Sequence, residues 1–130
     1  MQVLFLGGAN EVGASCLAIE LAGSWIVVDA GIRLGASDPL PDLAQLEDKQ
    51  VRAIFVTHAH ADHIGALPLL HQAFPHAPMY ASRATGLLME VMLADAVKIM
   101  ERRAADEMEL PLYPPALVSS MLQMVRPLPI

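Results

Sequence analysis

Thr57-His58-Ala59-His60-Ala61-Asp62-His63 puts three imidazoles and one carboxylate within the six positions 58–63. The stretch follows Val51-Arg52-Ala53-Ile54-Phe55-Val56, an apolar and β-branched run that reads as a strand. It precedes a turn into a helix over residues 64–73. A polar cluster wedged between an apolar strand and an apolar helix is costly unless its charges are paired. Imidazole nitrogen and carboxylate oxygen are the non-sulfur ligands that zinc prefers, and binding a metal removes that cost. Alternate residues of an extended segment project to one side. His58 and His60 are therefore expected to converge on one metal, while Asp62 and His63, past the turn, face a second. Ala59 and Ala61 leave room for this. The chain has five histidines in 130 residues, and chance would seldom bring three into this spacing. The other two, His71 and His76, read as ordinary surface residues on a helix end and in a proline-flanked loop.

Upstream, Val3-Leu4-Phe5-Leu6 reads as a strand ending at Gly7-Gly8, and residues 15–21 as a second strand. Ala22-Gly23-Ser24 is a tight turn into Trp25-Ile26-Val27-Val28, which stops at Asp29. Gly31, Gly35 and Asp38-Pro39-Leu40-Pro41 mark a long loop, with a short helix over 42–49. Downstream come a short strand, Met79-Tyr80-Ala81, and a long helix over 85–108 with Leu88, Val91, Ala94 or Asp95, and Met100 toward one face. Pro111, Pro114 and Pro115 end it, and Pro115 opens a last helix to about Val125. Strands first, then strand and helix alternating, predict an α/β chain: a mixed sheet with helices packed on one side. The methionines at 89, 92, 100, 108, 121 and 124 read as core on these helices.

Composition narrows the class. Hydrophobic residues make up 55% and charged residues 17%, which excludes a disordered chain. No apolar run reaches the ~18 residues of a membrane span, so no membrane role is expected. The N-terminus lacks the cationic start of a signal peptide, and Cys16, the single cysteine, suits a reducing cytoplasm. A net charge of −6 argues against a broad basic surface for nucleic acid. It does not exclude a nuclease whose metals supply local positive charge.

Three segments together resemble the metallo-β-lactamase fold hydrolases, and within them the β-CASP branch of RNA-processing nucleases that holds ribonuclease J and the pre-mRNA 3′-end endonucleases. They are Gly7-Gly8-Ala9-Asn10-Glu11-Val12-Gly13-Ala14-Ser15-Cys16, Val27-Val28-Asp29-Ala30-Gly31, and His58 to His63 with its continuation Ile64-Gly65-Ala66-Leu67-Pro68. The resemblance implies two divalent metal ions, zinc first among them. His58 and His60 would bind one, and Asp62 and His63 the other. Asp62 would also take part in proton transfer, and Asp29 would stand behind the ligands and orient the histidine loop. Asn10 and Glu11 would lie in a loop that can border the active site. The implied reaction is metal-assisted hydrolysis of a phosphodiester, with RNA as substrate.

The chain departs from that pattern after His76, where no further histidine occurs. The pattern requires a third histidine motif, a bridging aspartate and another histidine. Asp95 and Asp106 lie in the long helical stretch and do not fit the bridging position. Residues 125–130 read as a linker ahead of the strand that would carry the third motif. The expectation is therefore the N-terminal half of an αββα sandwich, a partial domain over 1–130 whose metal sites other residues complete. One sheet face would be left uncovered, and the chain would self-associate, as a dimer or larger. Two alternatives stand beside an RNA hydrolase. One is a hydrolase of thioesters, lactones or cyclic phosphodiesters in the same superfamily. The other is a non-catalytic metal-binding or interaction remnant.

Overall fold

A computed structural model describes residues 1–129. The chain forms one six-stranded sheet in sequence order, β1 (Gln2–Gly7), β2 (Cys16–Leu21), β3 (Ser24–Val28), β4 (Val51–Phe55), β5 (Met79–Ser82) and β6 (Val125–Leu128). The first three strands run antiparallel, and β3 to β6 are parallel. Ala22 and Gly23 close the β2–β3 hairpin at φ 51° and 83°. Two left-handed residues are what a two-residue turn needs to match the strand twist.

The pleat divides the sheet into two faces. The row Leu4, Ala18, Val27, Ile54, Met79 and Val125, in register across all six strands, faces the helices and joins the core. The opposite face is also apolar. Phe5, Leu17, Val28, Phe55 and Tyr80 line up across five strands, and Val3, Ile19 and Ile26 across three. None of these belongs to the core cluster, and Phe5 is 67% exposed. The helices thus cover one apolar face of the sheet and leave the other open.

Three helices and two short turns complete the described residues. The two turns are a 3₁₀ turn at Leu43–Leu46 and α1 (Ala61–Ile64). The helices are α2 (Leu67–Ala73), α3 (Arg83–Asp106) and α4 (Pro115–Leu122). Ser82 caps α3 by accepting from the Thr85 N–H at 3.1 Å, and prolines open α2 and α4, where their missing N–H costs nothing.

Several expectations are corrected. The helix expected over 42–49 is a single 3₁₀ turn, because Pro41 and the carbonyl bonds of Asp42 and Ala44 close it within four residues. The helix expected from Ile64 is two pieces: α1 begins earlier, so Asp62 and His63 sit on helix, and a break at Gly65-Ala66 re-aims α2. On α3 the buried face is Thr85, Met89 and Leu93, while Leu88 and Val91 are exposed. Of the methionines, Met89 and Met121 are core, whereas Met92 and Met108 are exposed. The supposed linker at 125–128 is β6, paired with β5; its Pro127 is tolerated on an edge strand. Ile130 lies outside the described residues.

His71 is also corrected, being only 4% exposed between α2 and α4. Its Nε2 meets Ser120 Oγ at 3.0 Å, and its Nδ1 is buried without a partner. Burial pushes its pKa down, so the ring packs as a neutral group. No described helix is long and apolar enough to cross a membrane.

Candidate metal centre

The histidine turn lies beyond the C-terminal ends of the parallel strands, where open α/β sheets place their sites. β4 delivers Thr57 and His58 directly. Ala59 is buried, His58 and His60 are both exposed, and their rings meet edge to face with centroids 4.8 Å apart. The extended backbone of His60 (φ −94°, ψ 149°) ends the strand-like segment and starts α1. The first turn of α1 then carries Asp62 and His63, and the His63 ring lies 4.0 Å from that of His58.

Asp29 underlies this cluster. It is 3% exposed and holds a left-handed φ of 63°, a region aspartate tolerates better than most residues. Its Oδ1 accepts from the Thr57 N–H at 2.8 Å. Its Oδ2 accepts from Thr57 Oγ1 at 2.6 Å and lies 2.7 Å from His63 Nδ1. A carboxylate only accepts, so His63 Nδ1 carries a proton, and in the neutral ring Nε2 keeps its lone pair. The Thr57 hydroxyl gives its one proton to Asp29, so it can only accept from His58 Nδ1, 2.9 Å away. His58 therefore has the same tautomer, with a bare Nε2. One buried carboxylate thus sets two imidazoles as donors of lone pairs.

The turn is laced to the loop after β3 and to the end of the β1–β2 loop by backbone bonds. Ala30 N–H donates to His63 O at 3.0 Å, Ile32 N–H to Ala61 O at 3.1 Å, and Ser15 N–H to Asp62 O at 3.0 Å. This close approach requires Gly31, where a Cβ would fall 1.7 Å from Asp62 O. Behind the turn, the buried Tyr113 hydroxyl donates to Gly65 O at 2.9 Å, and burial pushes its pKa up to about 12.

Asn10 and Glu11 lie in the β1–β2 loop, where Glu11 is engaged by Arg33. It takes Arg33 in a two-point pair at 2.7 and 3.0 Å and accepts from the Gly8 N–H. The Arg33 hydrogen bonds, followed by the Gly8 bond, hold the Glu11 carboxyl down at about 2. Arg33 also donates to Leu40 O and Asp38 O, so one guanidinium ties together both loops beside the site. Beside His60 and Asp62 runs a groove lined by Val12, Ile32, Leu34 and Met92. Sequence reasoning passed over these apolar residues because nothing in their spacing sets them apart from core.

The donor set suits a divalent ion in type and in pairing. Asp62 Oδ2 and His63 Nε2 lie 3.6 Å apart, against the ~3.4 Å between two ligands on one tetrahedral zinc. Among the described residues no three His, Cys, Asp or Glu side chains form a finished cage.

The Metallo-beta-lactamase superfamily signature matches residues 9–117. The chain belongs to that superfamily. Among curated relatives of this metallo-β-lactamase domain, a ribonuclease of Thermus thermophilus is 35% identical over 129 residues, covering 98% of the chain and 28% of the relative. Ribonuclease J of Mycolicibacterium smegmatis is 39% identical over 93 residues, covering 65% of the chain and 17% of the relative. The chain thus spans less than a third of the length of these relatives. Among solved structures, an archaeal superfamily protein from Sulfolobus tokodaii superimposes with a TM-score of 0.54 at 21% identity, over 90% of the chain and 43% of that protein. A dizinc quorum-quenching lactonase gives 0.50 at 20% identity, over 87% and 42%. These two likenesses speak for the fold. Superfamily membership implies a divalent metal.

Proposed function

We propose that the chain forms the N-terminal part of a metal-dependent ribonuclease of the β-CASP branch, working in the cytoplasm on RNA phosphodiesters. The observation that carries this is the Asp29–Thr57 network, which leaves Nε2 of both His58 and His63 bare beside His60 and Asp62. The ribonuclease relatives support the choice of substrate. In this reading His58 and His60 would hold one divalent ion, and Asp62 and His63 a second, zinc in both, with the remaining ligands supplied from outside these residues. When bound, such ions supply the positive charge that acidifies water near neutral pH and balances a phosphodiester. Asp62 would accept the proton at a carboxylate oxygen. Asp29 would keep His63 and His58 in the tautomer that the site needs.

A second reading, hydrolysis of a thioester or lactone, is favoured by the mainly apolar groove beside His60. Zinc- or manganese-supplemented protein assayed on single-stranded RNA, a chromogenic phosphodiester and a thioester separates the two. Turnover confined to RNA and lost in His58→Ala is the expected result. Thioester turnover without RNA cleavage would favour the second reading.

We also propose that the uncovered sheet face drives self-association. Sedimentation velocity at tens of micromolar is expected to show dimers or larger species, shifted toward monomer by Phe5→Lys on the exposed row. A clean monomer of the unaltered chain would contradict this.

A further inference from the structure

The groove beside the histidine turn combines polar and apolar lining. His60 and Asp62, two of the proposed metal ligands, lie at one side. The same groove is lined by Val12 from the β1–β2 loop, Leu34 from the loop after β3, and Met92 from α3. Val12 is 91% exposed, Leu34 76% and Met92 39%, and none of them joins the core. Three large apolar side chains from three segments surround one groove without joining the core. Covering them with an apolar group is favourable.

The groove's size and rigidity suit a ligand. Its volume is about 500 Å³, within the roughly 300–1,000 Å³ of small-molecule sites. Two of its three walls are pinned. Glu11 and Arg33 lie one residue before Val12 and Leu34 and form the two-point ion pair that joins their loops. The third wall is Met92, whose flexible thioether adapts to differently shaped partners.

The groove's charge decides what kind of group it takes. No Lys or Arg lines it, and the nearest guanidinium in sequence, Arg33, is taken up by Glu11, Asp38 O and Leu40 O. A phosphate would therefore find no cation along these walls, whereas the proposed metal ligands lie at the groove's edge. A nucleotide satisfies both halves, with its phosphate toward His60 and Asp62 and its base on the apolar wall.

We propose that Val12, Leu34 and Met92 form a ledge for the nucleobase next to the scissile phosphate. This rests on the ribonuclease reading and adds to it where substrate specificity is read. The ledge grips a base by shape and apolar contact. It offers no charged hydrogen-bonding side chain, so it tolerates any of the four bases.

Methyl NMR on the zinc-supplemented chain tests this, with Ile, Leu, Val and Met methyls labelled. The probes are a short oligouridylate and an abasic ribose-phosphate oligomer of the same length. The expected result is saturable shifts of the Val12, Leu34 and Met92 methyls with oligouridylate, at least about five-fold weaker binding of the abasic oligomer, and loss of that difference in Val12→Asp/Leu34→Asp. Both substituted positions are exposed, so the fold is expected to survive, and unchanged core methyl shifts verify it. Oligouridylate shifts confined to other methyls, or equal binding of both oligomers, would overturn the ledge and leave the ribonuclease reading standing. No RNA-dependent shift anywhere, with octanoate shifting the three methyls instead, would overturn both and point to an acyl substrate.

Discussion

Gly31→Ala is expected to cost about 3 kcal/mol or more, the upper end for overpacking a rigid site. The added Cβ would meet Asp62 O at 1.7 Å, Asp62 C at 2.0 Å and His63 N at 2.5 Å, all of them backbone. No rotamer change relieves such a contact. The chain can only respond by pushing the 29–32 segment off the first turn of α1, which breaks the Ala30–His63 and Ile32–Ala61 bonds. Thermal unfolding should show a loss of roughly 10 °C, and the amides of residues 61–63 should exchange faster. Gly35→Ala is the control. Its φ of 74° strains any side chain, but its Cβ would meet nothing within 4 Å, so only the left-handed penalty of about 1–2 kcal/mol applies. Equal losses for the two variants would mean that the contact between the loops does not hold the turn.

Asp29→Asn is expected to have its largest effect on metal affinity, with a smaller one on stability. The amide oxygen still accepts from the Thr57 N–H, so the fold should lose only about 1–2 kcal/mol. The amide nitrogen, however, is a donor where the wild type has an acceptor. His63 can meet it only by turning Nδ1 into an acceptor, which moves the proton to Nε2 and removes the lone pair facing Asp62. Loss of such a supporting group commonly weakens metal binding 10–100-fold or so. Imidazole ¹⁵N spectra would report the tautomer change, and calorimetry with zinc the affinity. An unchanged tautomer together with unchanged affinity would remove Asp29 from the account.

Much of this was legible in the sequence. The His58–His63 spacing announces metal chemistry, and the β-branched runs before Asp29 and Thr57 place it at strand ends. What stayed illegible depends on contacts distant in sequence. Gly31 looks like any loop glycine until residues 61–63 lie across it. His71 reads as a surface residue until α4 covers it. Glu11 is an unremarkable loop carboxylate until Arg33, 22 positions on, takes both its oxygens. The periodicity of α3 misled in another way. Apolar residues occur around much of its circumference, so spacing alone does not distinguish the buried Met89 and Leu93 from the exposed Leu88 and Val91. β6 was missed because two prolines in its neighbourhood argue against a strand, and an edge position is where that argument fails.

The most direct test of the central claim is zinc titration of the ¹⁵N-histidine-labelled chain, followed at the imidazole nitrogens. All five rings are internal to the experiment: three at the turn, His71 buried against α4, and His76 exposed as a bystander. The account predicts saturable shifts at Nε2 of His58 and His63 and at the His60 ring, no change at His71, and no more than weak, unsaturated shifts at His76. His58→Ala/His60→Ala should remove the first ion's response and leave His63, held with Asp62, shifting on its own. If His76 responds as strongly as the three rings of the turn, the histidine turn is not a metal centre and the proposed hydrolase function falls with it.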